Sequence, residues 1–124
     1  MKKYFLFSFL SLLVSNSYAD QNKIMIAKKL CDNTEKLALI AQEARQDNLA
    51  GSVATTKLLN YIDSLKLSEF ERKSLTRIAF ISVPEAYKTP IFNDSVKRNN
   101  VISSYGQYAY TTCLDALNKQ LSKN

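Results

Sequence analysis

Histidine and tryptophan are absent from this chain of 124 residues, and glycine, proline, cysteine and methionine occur only twice each. Without an imidazole, neither a serine–histidine–carboxylate nor a cysteine–histidine nucleophilic centre can be assembled. Zinc would have to rely on cysteine and carboxylate alone. Two glycines are too few for the glycine-rich loops that cradle phosphates. Internal repeats, low-complexity tracts and blocks of like charge are also missing. What remains is 46% hydrophobic and 23% charged, a globular mix that argues against disorder. The length suits one small domain.

The first residues read as an address. Lys2 and Lys3 precede an apolar run over residues 4–14, broken only by Ser8 and Ser11, and small residues follow at Ser17 and Ala19. A positive start, a short apolar stretch and a small-x-small end form the pattern of a cleaved secretory signal peptide. The expected division is a signal peptide over 1–19 and a single helical domain over 20–124. The run falls short of the roughly 20 apolar residues of a membrane-spanning helix, and no later stretch is longer, so no integral membrane segment is expected after cleavage. The product is expected to be soluble and periplasmic or secreted. Loss of Lys2 and Lys3 lowers the formal charge from +6 to +4. The remaining cations are interleaved with acids rather than concentrated on one strip, which does not suit a nucleic-acid binder.

Cys31 and Cys113 are the only cysteines. In an oxidising compartment an isolated pair is most simply one disulfide. Free buried thiols and a redox pair are the alternatives, and no C-x-x-C spacing supports the latter. A bridge here would close a loop of roughly 80 residues, for which chain entropy assigns on the order of 4 kcal/mol.

Apolar spacing predicts an all-α protein, a compact bundle of about four helices with the first and last joined by that disulfide. The first helix, over 22–46, carries Ile24, Ala27, Leu30, Cys31, Leu37, Ala38, Ala41 and Ala44 on one face. Lys28, Asp32, Glu35, Lys36, Gln42, Glu43 and Gln46 are assigned to the opposite side. Gly51, in the break at 47–52, is expected to supply a left-handed turn. A second helix over 53–65 is built on Leu58, Leu59, Ile62 and Leu65. Ser68-Glu69-Phe70-Glu71 has the form of a capping box, opening a third helix with Leu75, Ile78, Ala79, Ser82 and Ala86 on one face; Pro84 should end or kink it. The fourth begins after Asn93 or Asp94 and runs towards Leu121. Its stripe of Val101, Ile102, Tyr105, Ala109, Cys113 and Ala116 is joined by a second one of Tyr110, Leu114, Leu117 and Leu121. So wide an apolar arc is either packed on two sides or keeps one side for a partner.

Few residues suggest chemistry. Glu43 with Asp47, and Glu69 with Glu71, are the paired carboxylates; solvated or capping positions suit them better than acid–base work, which needs two different environments across a cleft. No motif singles out a serine–lysine dyad, and no acidic loop has calcium spacing. No catalytic residue, metal or cofactor is therefore expected. Lys73 and Arg77, close to Phe80 and one turn beyond Glu69, read either as a surface ladder of ion pairs or as a basic–aromatic docking patch. Tyr105, Tyr108 and Tyr110 cluster around Gly106. Tyr105 and Tyr108 read as wedges between helices, with Gly106 allowing close approach; alternatively Tyr108 and Tyr110 border a binding groove.

Ala86-Tyr87-Lys88-Thr89-Pro90, the run Ala41-Gln42-Glu43-Ala44-Arg45-Gln46, Gly51, and the helix ending in Tyr110-Thr111-Thr112-Cys113 together resemble a family of small exported bacterial helical proteins with one cysteine pair. The likeness spans most of the mature chain and implies a disulfide-pinned helical domain without assigning an activity. A looser likeness is to periplasmic immunity proteins that block cell-wall amidases. The expectation is thus a non-enzymatic periplasmic binding or inhibitory protein whose partner is an envelope or imported protein, met through Lys73, Arg77 and Phe80 or through Tyr108, Tyr110 and Leu114. The alternatives are a carrier of a small apolar ligand or lipid, and a structural envelope component.

Overall fold

Each of the four apolar periodicities becomes a helix in the computed structural model, which describes residues 21–122. They are α1 (Gln21–Gln46), α2 (Gly51–Asp63), α3 (Glu69–Ala86) and α4 (Ser95–Ser122), with no strand among the described residues. The expected signal peptide at 1–19 lies outside the described residues. Among them, no helix is long and apolar enough to cross a membrane.

The helix ends follow local chemistry. Ser68 accepts from the Glu71 amide at 3.2 Å, while the Glu71 carboxylate accepts from the Ser68 amide at 2.8 Å, completing the expected capping box of α3. Asp94 caps α4 by accepting from the Lys97 amide at 2.9 Å. The left-handed residue after α1, however, is Asn48 (φ 61°) and not Gly51, whose φ is not positive. The Asn48 amide donates to Arg45 and the Leu49 amide to Ala44, the two bonds of a Schellman motif. Asparagine tolerates this backbone because its short polar side chain can bond locally, so Gly51 is left to open α2. Pro84 does not stop α3 where it stands; the helix runs on to Ala86. A proline in a last turn removes one intrahelical bond only, the one that the Phe80 carbonyl would have accepted.

Packing centres on α1, which meets each of the other three helices, while α2 and α3 also pack on each other. Leu30, Leu37, Leu58, Ile62, Leu75 and Ile78 form the largest side chains of the core. The antiparallel pair α1–α4 is joined by Cys31–Cys113, the expected disulfide between the first and last helices. Between its ends, Gly106 lies flat against Leu39; a Cβ there would fall 2.5 Å from Leu39 Cδ2. The Leu39 side chain fits here only because position 106 has none. The apolar arc of α4 is largely closed: Ala109, Cys113, Ala116 and Leu117 are buried, and Tyr105, Tyr110 and Leu114 pack against the core.

Two residues assigned to the solvent side of α1 are inside. Gln42 is 0% and Gln46 3% exposed. They continue the ridge of Leu30, Thr34 and Ala38 at four-residue steps, so position on the helix overrides polarity. Burial of an amide is tolerated when its hydrogen bonds are made. Gln46 Nε2 donates to Gln42 Oε1 (3.0 Å) and to the Pro90 carbonyl (2.9 Å), and its Oε1 accepts from the Phe92 amide (2.8 Å). Gln42 Nε2 donates to Thr89 Oγ1 (3.3 Å) and the Ala86 carbonyl (3.5 Å). The connector between α3 and α4 thus finds its backbone partners in the side chains of α1.

Candidate binding surface

A helix that buries Ser74, Leu75, Ile78, Ala79, Ser82, Val83 and Ala86 must present its remaining positions outward. On α3 these are Phe70, Lys73, Arg77, Phe80 and Pro84, at alternating steps of three and four, all exposed. Phe80 is 56% and Phe70 39% exposed, unusual for rings that lose so much by contact with water. Glu69, Arg72, Lys73, Arg77, Phe80 and Ile81 help to line an open depression of about 700 Å³ along this face. Three of the predicted site residues, Lys73, Arg77 and Phe80, are therefore brought together.

The electrostatics of the stripe are one-sided. Arg72 reaches back to Asp63 at the end of α2, 3.1 Å away, with both side chains well exposed. Such a surface pair contributes between nothing and about 1 kcal/mol. Among the described residues, Lys73 and Arg77 make no ion pair. The ladder read from Glu69, Lys73 and Arg77 is not formed, and two cations one turn apart repel each other. Beside them, the Phe80 carbonyl faces a proline that has no amide to donate. Sequence spacing placed Lys73, Arg77 and Phe80 correctly on one face but left out Phe70, Arg72, Ile81 and Pro84; the same three- and four-residue steps, continued in both directions, pick up Phe70 and Pro84.

The α4 candidates lie elsewhere. Tyr110 and Leu114 are half-buried and pack on the core. Tyr108 is half-buried beside a shallow depression of about 360 Å³ that it shares with Ser103, Ser104, Gln107 and Thr111. None of the three lines the α3 depression. Tyr105 is the wedge between helices: its hydroxyl donates to the Ser82 carbonyl on α3 at 2.8 Å. Burial pushes its phenol far above the ordinary range, and the negative charge of Glu85 and the neighbouring Tyr108 push the same way.

A cleft of about 430 Å³ between α1 and α2 includes Glu43, Asp47, Lys57 and Tyr61. Glu43 and Asp47 are exposed there, and Asp47 is engaged by Arg98. Both carboxylates are solvent-exposed, and neither lies in the apolar surroundings that set an acid apart from its base. Tyr61 donates from its hydroxyl to Asn33 Oδ1 at 3.1 Å. No group of three or more histidine, cysteine, aspartate or glutamate side chains among the described residues is placed to hold a metal ion.

The fold and this surface define a class: a disulfide-pinned, all-helical bundle with one outward basic–aromatic helix face. No family model, curated protein or solved structure matches the chain.

Proposed function

We propose that this is an exported, non-enzymatic binding protein of the periplasm or extracellular space, which acts by seating a partner protein on the outward face of α3. The observation that carries the reading is Phe80, 56% exposed and sharing its exposed stripe with Lys73 and Arg77 on a helix whose other face is locked into the core. Exposed aromatics beside arginine are the residue types that anchor protein interfaces. Rigidity supports the same reading, since a helix packed on both α1 and α2 loses little freedom on binding. The disulfide suits an oxidising compartment, and the signal-like residues 1–19 supply a route to it. The concrete form is an inhibitor of the immunity kind, occupying the surface of an envelope or imported protein.

Affinity capture tests this. The mature oxidised protein, immobilised beside a Lys73→Glu/Arg77→Glu variant, is exposed to envelope extract. One stoichiometric partner, held by the first and lost from the second, is the expected result. Repeated captures that return no specific protein would sink the reading.

A further inference from the structure

Resting on that binding role, we infer the chemistry of the partner's contact: an acidic segment of a protein, with a carboxylate set between Lys73 and Arg77 and an apolar side chain laid on Phe80. Charge complementarity carries the inference. The depression on α3 gathers Arg72, Lys73 and Arg77 against the single acid Glu69. Lys73 and Arg77 are without ion pairs among the described residues, and they stand one turn apart on the same face. Like charges at this spacing destabilise a free helix. A carboxylate between them replaces that repulsion with two attractions, and the arginine fork accepts it in a fixed orientation.

The apolar half of the site lies alongside. Phe80 is 56% exposed, and half-buried Ile81 borders the same depression, so a side chain placed there excludes water from both. The arrangement favours a protein over a bilayer. Three cations on one helix fall below the clusters of four to eight that hold proteins on anionic membranes.

A display library of random linear peptides, selected on the mature oxidised protein, tests the inference without a known partner. The expected pool carries aspartate or glutamate next to an aromatic or aliphatic residue. By fluorescence anisotropy, the best peptide should bind Lys73→Glu/Arg77→Glu about tenfold or more weakly than the wild type, and Phe80→Ala similarly. Its amide chemical-shift changes should centre on residues 70–84. Basic or uncharged winners overturn the inference, as do peptides indifferent to both variants. Sedimentation of the wild type, but not the double variant, with phosphatidylcholine vesicles holding about one-quarter phosphatidylglycerol, and no acidic peptide enriched, makes the occupant a membrane and also overturns it. A partner captured from extract that still binds Lys73→Glu/Arg77→Glu keeps the general binding role and removes this surface from it.

Discussion

The two ends of the α1–α4 pair are held by different physics. At one end Cys31 and Cys113 are bonded covalently inside the core. At the other, Gln46 and Arg45 reach across to the connector, and Arg98 donates to the Gln46 carbonyl at 2.7 Å while engaging Asp47. The pins are matched in register: Cys31 to Gln46 on one helix is the same span as Arg98 to Cys113 on the other. A cross-link acts largely by restricting the unfolded chain. The polar end acts in the folded state, by giving buried backbone groups the partners that they would otherwise find in water. Arg45 adds to it twice, donating to the Thr89 carbonyl at 2.8 Å and lying 5.3 Å from the centre of the Tyr87 ring. Tyr87 in turn donates to the Leu49 carbonyl at 2.7 Å. A bundle of this size thus joins its last helix to its first by a bond that reduction opens and by a network that reduction leaves alone.

The largest effect belongs to the covalent end. Cys31→Ala/Cys113→Ala should lower the unfolding free energy by about 4 kcal/mol in urea titration, with the folded helical content kept. A loss under about 1 kcal/mol would mean that the polar end alone holds α4. Next comes Gln46→Ala, which strands the Phe92 amide and the Pro90 carbonyl; a cost of about 2–3 kcal/mol is expected. Hydrogen exchange at Phe92 should quicken while amides near Cys113 keep their protection. Equal quickening at both ends would erase the distinction between them.

Midway along the pair, Gly106→Ala forces a Cβ onto Leu39 Cγ and Cδ2 and should cost about 1–2 kcal/mol after the gain in helix propensity. Adding Leu39→Ala should return part of that loss, which a double-mutant cycle reads directly. The smallest effect at neutral pH is that of Tyr105→Phe, about 1 kcal/mol for the bond to Ser82. Its sharper signature is alkaline. The folded-state pKa of Tyr105 is raised from 10.0, so the unfolded chain releases the phenolic proton first. That contribution is whole below the unfolded value and is lost as pH climbs from it towards the folded one. Stability should therefore fall above about pH 10, and Tyr105→Phe should flatten the fall; an unchanged alkaline slope would show that the phenol is not protected.

The contrast between the two pins is also a contrast in legibility. Cys31 and Cys113 could be paired from the sequence because each falls on an apolar stripe and no other cysteine competes. Polarity alone places Gln42 and Gln46 on the solvent side, whereas their helix position puts them inside. An amide on the buried side of a helix is stable only if some distant segment brings it partners, and those partners here are backbone groups of Ala86, Pro90 and Phe92 together with the Thr89 hydroxyl. Backbone groups leave no mark in an amino-acid string. Segments 41–46 and 86–92 are the two sides of this clamp. On α3, Lys73, Arg77 and Phe80 were legible as one face from spacing; that the two cations lack ion pairs depends on side-chain geometry and was not.

The sequence alone determined four helices and most of their buried faces, since apolar periodicity, the Ser68 capping box and a helix start at Asn93 or Asp94 are properties of neighbouring residues. It also determined which cysteines could meet. Tertiary structure decided the rest: that Asn48 rather than Gly51 makes the turn, that two glutamines are core residues, that Gly106 receives Leu39, and that the cations of α3 face outward beside an unshielded ring. Apart from the Asn48 turn, whose bonds are local, each of these depends on what a second, sequence-distant segment places against the first. A helix can specify its own face, but only the packed bundle specifies what that face meets.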